Sequence, residues 1–446
     1  MQVRASGPLL AMGLLLSSQF AIADPKDKAK NDDVQVNVRG ARIAPKSPPR
    51  DRGVAGTVVS GEALRAPGLK ASDVLRSQAG VSLTETGGIG ALATSSIRGA
   101  TSAQTPVYLA GIRLNDDIAG TADLSLIPLW LVDRVEIYRG NAPLDADQLG
   151  IGGAIFFEPR KPKTTEVGLG GMLGSFGARS SWVRAGSGNE NAAAIIGLRH
   201  ESATNNYSYV DDRGTRFDSS DDVSRRRSNA DVSTLDLWSL ATAKLGRGAS
   251  VDLILNGIHR EQGVPGLALT PTKLARASLS RAIGAAAFHI PCSSDDTCLI
   301  HASTSAVSAL SQFDDPLSEL SLSSKRLDMQ GKRLEESVHV RLNLGDSVTV
   351  SPAIRASKEW LAITPLGAPS QNAERNTSRA AFSAEYHPHP LVYLRSLASA
   401  ECQSTSMTTA AMCDSLQPAG RLGLQVGTTS LSGLMNAGFY HRAPTL

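Results

Sequence analysis

Apolar and polar residues alternate in short segments along the chain after Lys163. The clearest segment is Val338–Leu344, where every second residue is apolar and the residues between them are polar. Similar alternation occupies Val251–Leu255, Phe382–Tyr386 and Leu422–Val426. A period of two residues predicts β-strands with one apolar and one polar face. Membrane β-barrels and soluble β-sandwiches both contain such strands, so this pattern alone leaves both architectures open.

Polar stretches of unequal length separate the alternating segments. The longest predicted loops are residues 205–233 and residues 262–324. Loops that are short at one end of the strands and long at the other are typical of outer-membrane barrels. The loop pattern therefore fits a barrel.

Residues 57–161 have a different pattern, which predicts a compact α+β domain. A short helix is expected at Asp73–Arg76. Short runs rich in β-branched and apolar residues follow, and glycines separate them. These predicted strands are Val81–Leu83, Ser96–Arg98, Val107–Leu109 and Arg134–Tyr138.

The first residues have the pattern of an export signal. Arg4 supplies a basic start and Leu9–Leu16 an apolar segment. Small residues at Ala21 and Ala23 then form a cleavage site. We therefore expect residues 1–23 to be removed on export.

The next residues, 24–56, are polar, basic and rich in proline, which predicts a flexible arm. One short segment within this arm alternates valine with polar residues: Val34, Gln35, Val36, Asn37 and Val38. An extended segment of this kind can pair with the sheet edge of a partner protein through main-chain hydrogen bonds.

Charge and cysteine content narrow the possible functions. Lys and Arg number 45 against 42 Asp and Glu, so the chain has no strong field to attract nucleic acid. Each close pair of cysteines in an exported protein predicts a local disulfide. The pairs are Cys292 with Cys298 and Cys402 with Cys413. The sequence has no hydrolase, zinc-protease or Walker-type motif, so we predict that the protein is not an enzyme.

Five motifs between residues 73 and 155 resemble, in order, the plug domain of TonB-dependent outer-membrane receptors. They are Asp73–Val81 at the opening, Ser96–Gly99 for I-R-G, Val107–Asn115 for V-x-x-D-G-V-x-x-N, Ile127–Pro128 with Val135–Gly140 for I-P…V-E-x-x-R-G, and Gly150–Ile155 for x-I-G-G-x-I. The stretch Gly87–Gly90 followed by Ser96–Gly99 is most similar to cobalamin and siderophore receptors.

The resemblance implies an α+β plug domain followed by an antiparallel transmembrane β-barrel in the outer membrane. The implied domains are a signal peptide (1–23), an arm with the TonB box (24–56), the plug (57–161) and a partial barrel (162–446). Family barrels have about 22 strands, whereas about a dozen strands of roughly ten residues can be placed here. The implied partners are the TonB energy-coupling protein, outer-membrane lipid and a small-molecule ligand.

Several residues acquire roles only through this resemblance. Val34–Val38 match the TonB box. Arg98 and Arg139 match plug arginines that face acidic residues of the barrel wall, because a buried guanidinium needs carboxylate partners. The alternative for each arginine is a solvated surface charge.

The resemblance also assigns ligand contact to two apical loops of the plug. Their candidate residues are Gly87, Gly88, Gly90, Asn115, Asp116 and Asp117. Glycines allow a close approach of the backbone to a ligand, and the polar side chains offer hydrogen-bonding groups. The alternative is that both loops are simply tight turns.

One acidic loop is a weak candidate for binding Ca²⁺, which prefers several oxygen ligands. It contains Asp211, Asp212, Asp218, Asp221 and Asp222. The spacing does not match an EF-hand, and Arg225–Arg227 could neutralise the carboxylates, so a solvated loop is the alternative. We expect no other cofactor.

The chain departs from the family pattern at two places. Ala110 stands where the family has aspartate, and the last residues, Gly438–Leu446, resemble a motif from the middle of the barrel. We therefore expect a fragment of a receptor that imports a scarce siderophore-, cobalamin- or similar-type ligand with energy from TonB. The alternatives are a soluble exported plug-bearing binding protein and a non-functional remnant.

Overall fold

The computed structural model describes most of the chain after Arg50. The described residues are 51, 54–65, 68–116, 119–140, 143, 152–215, 217–267, 270–295, 297–322, 324–405, 413, 415–428 and 431–440. The predicted signal peptide, the TonB box Val34–Val38 and Asp117 lie outside them.

The predicted plug contains a five-stranded sheet in the order β1-β6-β7-β4-β5, with β4 and β7 parallel. A separate hairpin, β2–β3, and a short helix, α1, complete it. The elements are β1 Gly56–Ser60, α1 Ala71–Arg76, β2 Val81–Glu85, β3 Ala93–Ile97, β4 Val107–Leu109, β5 Ile112–Arg113, β6 Val132–Arg139 and β7 Gly153–Pro159. Short 3-10 helices lie at Gly61–Leu64, Ser102–Gln104, Leu124–Leu126 and Leu129–Leu131.

An apolar core holds the plug together. Leu75 of α1, Ile97 of β3 and Ile155 of β7 are each 0% exposed. Ile195 and Trp238, which belong to later strands, pack into the same cluster. The plug core is therefore continuous with the part of the chain that follows it.

The rest of the described chain forms an antiparallel sheet of 13 strands, which we call the wall. Its strands are β8 Glu166–Leu173, β9 Arg179–Gly188, β10 Ala192–Ala203, β13 Val232–Lys244, β14 Ser250–Gly263, β17 Arg276–Pro291, β18 Cys298–Asp314, β19 Arg326–Leu344, β20 Val348–Pro365, β21 Gln371–His389, β22 Val392–Thr405, β23 Ser415–Gly427 and β24 Ser432–Phe439. Consecutive wall strands pair in chain order, as a membrane-barrel meander requires. The predicted fold class, a plug followed by antiparallel barrel strands, is confirmed.

Two small hairpins lie in the connections of the wall. They are β11 Ser208–Asp211 with β12 Val223–Arg226, and β15 Gly266–Leu267 with β16 Thr270–Pro271. A 3-10 turn at Gly246–Gly248 joins β13 to β14.

The wall strands have one apolar and one polar face, as their alternation predicts. Leu169, Ile354 and Leu422 are 80%, 68% and 61% exposed on the outer face. On the opposite face, next to the plug, Arg333 and Glu359 are buried. An extended apolar outer face is unfavourable in water, whereas lipid-facing barrel strands require it.

The connections differ in length between the two ends of the wall. Six connections share one end, which we call the long-loop end because the four longest lie there: 174–178, 204–231, 264–275, 315–325, 366–370 and 406–414. Connections 189–191, 245–249, 292–297, 345–347, 390–391 and 428–431 share the other, the short-turn end. Outer-membrane barrels have their longer loops outside the cell and their short turns in the periplasm.

One predicted loop is wrong. Residues 262–324 contain most of the strands β17 and β18. These strands are rich in alanine and serine, for example in Ala285–Ala287. Such small side chains give little contrast between the two faces, and this conceals the period of two. The other long predicted loop, 205–233, largely coincides with connection 204–231.

Within the described residues, no helix combines the length and the apolar content that crossing a membrane requires.

Candidate functional site

The plug contacts the polar face of the wall through buried charged groups. Arg113 on β5 donates from Nη2 to Glu359 Oε1 of β20 at 2.8 Å. Glu359 Oε2 accepts from Arg375 Nε at 2.7 Å. Strand register places Arg333, Glu359 and Arg375 opposite one another on β19, β20 and β21. Arg333 Nη2 also donates to the carbonyl oxygen of Arg113 at 2.7 Å. Three guanidinium groups thus surround one carboxylate at the contact.

A second contact involves the 3-10 turn at Leu124–Leu126. Arg260 on β14 donates from Nη1 to Asp123 Oδ2 at 2.8 Å and from Nη2 to Ser125 Oγ at 2.9 Å. The other oxygen of Asp123 accepts from the Ser125 N–H at 3.0 Å. Asp123 therefore caps the turn and binds the wall at the same time, which fixes the turn against β14.

A third contact lies just before β1. Asp51 is 0% exposed, and its Oδ2 lies 2.6 Å from Arg421 Nη2 and 3.2 Å from Arg395 Nη1. These arginines lie on the neighbouring strands β22 and β23. Because Asp51 belongs to the predicted arm, this contact joins the end of the arm directly to the wall.

The two arginines that the family motifs single out have contacts within the plug. Arg139 donates from Nε to the Ala79 carbonyl oxygen at 2.7 Å and from Nη1 to Thr57 Oγ1 at 2.6 Å. Burial lowers the pKa of Arg139, and the charge of the neighbouring Arg98 lowers this pKa further. Contact of Arg98 and Arg139 with acidic wall residues stays a prediction.

The glycines of the first apical loop lie close to the wall at its long-loop end. A Cβ at Gly88 would lie 2.4 Å from Asn205 Oδ1, and one at Gly90 would lie 2.6 Å from Val232 Cγ2. Asn205 Nδ2 donates to the Ile89 carbonyl oxygen at 3.1 Å. These two glycines are therefore needed for packing. Gly87 is less crowded, since its added Cβ would meet Ala91 at 3.4 Å. Ligand binding by this loop stays a prediction.

The second apical loop is shaped by its own polar side chains. Asn115 is buried; its Oδ1 accepts from the Val107 N–H at 2.8 Å, and its Nδ2 donates to the Gly120 carbonyl oxygen at 2.9 Å. Asp116 Oδ1 accepts from the Ala119 N–H at 2.8 Å. Asn115 therefore holds the turn closed, and a ligand role for either residue stays a prediction.

The acidic loop forms the β11–β12 hairpin at the long-loop end. Asp211 is buried and pairs with Arg225 at 2.8 Å. Asp218 accepts from the hydroxyl and the N–H of Ser220, which lowers its pKa.

The remaining carboxylates of this hairpin make local contacts or face solvent. Asp212 accepts from the Gly214 N–H and Asp221 from Thr215 Oγ1, while Asp222 is exposed. No three His, Cys, Asp or Glu side chains are arranged to hold a metal ion anywhere in the described part of the chain. Calcium binding here stays a prediction.

Both cysteine pairs form disulfides in the structure. Cys292–Cys298 spans the turn between β17 and β18 at the short-turn end. Cys402–Cys413 lies at the opposite end, where it joins the end of β22 to connection 406–414. Each bond closes a short stretch of chain beyond the strand ends.

Sequence reasoning missed the charged residues at the three contacts with the wall, namely Asp51, Arg113 and Asp123. A usable signal was the presence of arginines on the polar face of alternating strands, as at Arg375 and Arg421. A row of guanidinium groups on the inner face requires carboxylates opposite it.

Comparison with known proteins identifies the first domain. The family model described as "TonB-dependent Receptor Plug Domain" matches residues 48–154. This range includes Asp51, Arg113 and Asp123, the charged residues of the three buried contacts with the wall described above.

Solved structures share the fold at low sequence identity. The copper transporter OprC has a TM-score of 0.67 at 12% identity, covering 86% of this chain and 64% of that one. The ferric-catecholate import receptor Fiu from E. coli K12 has a TM-score of 0.64 at 13% identity, covering 89% and 71%. The FrpB iron transporter from Neisseria meningitidis has a TM-score of 0.69 at 10% identity, covering 88% and 66%.

The chain therefore spans about two thirds of the length of these structures. Its plug matches the family model, and its wall has the strand order and the apolar outer face of an outer-membrane barrel. Residues 48–154 match the plug domain of TonB-dependent receptors, and the chain shares the fold of solved receptor and transporter structures.

Proposed function

We propose that the full-length protein imports a scarce extracellular ligand into the periplasm and that TonB supplies the energy. The observation that carries this proposal is the buried charged contact between plug and wall. A plug that a few ion pairs hold against the wall would block the route through the barrel at rest. It could be displaced without unfolding the wall.

The ligand would approach from the long-loop end. The apical loop 87–92 lies at this end, beside Asn205 and Val232. The matched structures are described as transporters or receptors of copper, ferric catecholate and iron. We propose a ligand of this general kind, a metal ion or a metal chelate such as a siderophore or cobalamin.

Coupling to TonB would act through the arm. Val34–Val38 would add a strand to a sheet edge of TonB, and a pull on them would reach Asp51 before the rest of the plug. Breaking the Asp51 contact would expose the charges of Asp51, Arg395 and Arg421 to water. Their hydration would offset part of the free energy lost with the ion pairs. The plug would thus begin to move at its N-terminal end.

Deletion of Val34–Val38 from the full-length protein tests this function. A matched control deletes five other residues of the same arm, Lys46–Arg50. We expect the first deletion to abolish energy-dependent uptake of ⁵⁵Fe-siderophore, radiolabelled cobalamin or ⁶⁴Cu, whichever the intact protein imports. Outer-membrane abundance should stay unchanged. Import at the normal rate without Val34–Val38 would contradict the proposal.

A further inference from the structure

The strands β17 and β18 contain little that fixes their register against each other. Most residues in 277–287 of β17 and 302–311 of β18 are alanine, serine or glycine. A shift by one residue would turn every side chain to the wrong face, whereas a shift by two keeps each side chain on its own face. Because small side chains contact one another weakly across strands, a shift by two residues would cost little packing.

The connections on either side of this hairpin are long. Residues 264–275 join β14 to β17, and residues 315–325 join β18 to β19. A long connection can absorb a shift of two residues, which moves a strand by about 7 Å. The short connection between β17 and β18, residues 292–297, is therefore the segment that can fix their register.

This connection has none of the residues that usually fix a hairpin. It is the longest described connection at the short-turn end, and it contains no glycine, asparagine or proline. Tight hairpins instead use two-residue turns such as Asn-Gly. Here the Cys292–Cys298 disulfide closes the connection, and the Cys292 N–H donates to the Cys298 carbonyl oxygen at 3.0 Å. A covalent bond thus takes the place of a turn sequence.

We propose that the Cys292–Cys298 disulfide determines the register of β17 against β18 while the wall folds. The cysteines adjoin Pro291 and Leu299, the pair of opposite residues nearest the turn, and their Cα atoms are 5.1 Å apart. A shift by two residues would add about 7 Å along the strand. It would separate the Cα atoms beyond the roughly 7 Å that a disulfide can span. The disulfide therefore excludes the shifted pairings.

The register matters because the plug contacts the wall on both sides of this hairpin. Arg260 on β14 donates to Asp123 of the plug, and Arg113 of the plug donates to Glu359 on β20, both at 2.8 Å. A shift between β17 and β18 would move Arg260 relative to Glu359 by about 7 Å. Hydrogen bonds do not tolerate such a displacement, so the plug would lose one of the two contacts. The disulfide thus secures the binding of the plug from a distance, which goes beyond the proposed import function.

Cross-linking of introduced cysteine pairs measures the register in the full-length protein. Ser280 of β17 lies opposite Leu310 of β18, and Ser308 and Gln312 are the positions shifted by two residues from Leu310. With the native disulfide present, Ser280→Cys should form a disulfide with Leu310→Cys. It should not form one with Ser308→Cys or Gln312→Cys.

Removal of the native disulfide should shift this pattern. After Cys292→Ser with Cys298→Ser, we expect cross-linking to move from the opposite pair to a pair shifted by two residues. The matched control is Cys402→Ser with Cys413→Ser, which removes the other disulfide and should leave the pattern unchanged. The same cross-links with and without Cys292–Cys298 would overturn the inference.

A second variant tests the register when the serine variant does not fold. It replaces residues 292–298 by Asn-Gly, which joins the opposite residues Pro291 and Leu299 through a two-residue hairpin turn. This variant also lacks the disulfide, but its turn fixes the register. We expect it to fold with the cross-link between positions 280 and 310 restored. Failure to fold, or cross-linking of the shifted pairs, would overturn the inference.

Discussion

Single residues determine how the plug is held. Asp51 has no exposed surface and lies between Arg395 and Arg421. Loss of this one carboxylate would remove the negative charge that lies between two buried guanidinium groups, although Arg395 keeps its ion pair with Glu385 at 3.3 Å. A buried charge that loses its partner is strongly destabilising, whereas an exposed one is not.

The substitution Asp51→Asn should therefore lower the free energy of unfolding by about 3 kcal/mol. Urea unfolding of the detergent-solubilised protein measures this. Asp222→Asn is the control, since Asp222 is an exposed carboxylate of the β11–β12 hairpin, and it should leave the free energy unchanged. Equal stability of the two variants would show that Asp51 does not hold the plug.

Gly90 offers a second test at the residue scale. Its φ is +75°, and a Cβ added to it would overlap the side chain of Val232 in the wall. Gly99 has nearly the same φ, +77°, with nothing within 4 Å. Gly90→Ala should therefore be more destabilising than Gly99→Ala by about 1–3 kcal/mol, the cost of overpacking. Val232→Ala should remove most of the difference. Equal losses of unfolding free energy for the two alanine variants would contradict close packing at Gly90.

At the scale of elements, the strands predicted from sequence are those with large side chains on one face. Val338–Leu344 lies within β19 and Phe382–Tyr386 within β21. By contrast, β17 and β18 contain many small residues and were predicted as loop. Backbone hydrogen bonds to the neighbouring strands β14 and β19 determine their position. Pairing between strands that are distant in the chain leaves no signal in the local sequence.

The outer face of the strands provides a prediction about the membrane. Ile354 lies within β20 and Leu344 at the short-turn end of β19, and both point outwards. Ile354→Arg should cost about 2–4 kcal/mol and Leu344→Arg at most about 1, because the penalty for arginine falls with distance from the bilayer midplane. Unfolding from lipid vesicles measures both values. Equal penalties would contradict a membrane-spanning β20.

At the scale of the whole molecule, the plug was recognisable from its motifs, whereas its attachment to the wall was not. Arg113 and Glu359 are 246 residues apart in the chain, and Asp51 and Arg421 are 370 apart. Only the fold brings such partners together. By contrast, the motif arginines Arg98 and Arg139 can be recognised from the sequence around them. The hydrogen bonds described for Arg139 are to Ala79 and Thr57, within the plug.

Our central proposal is that this chain lies in the outer membrane and that its plug rests on the polar face of the wall strands. Density-gradient separation of inner and outer membranes from cells that express the native gene tests it most directly. The account predicts that the protein sediments with the outer membrane and is released only by detergent. Recovery in the soluble periplasmic fraction without detergent would contradict it.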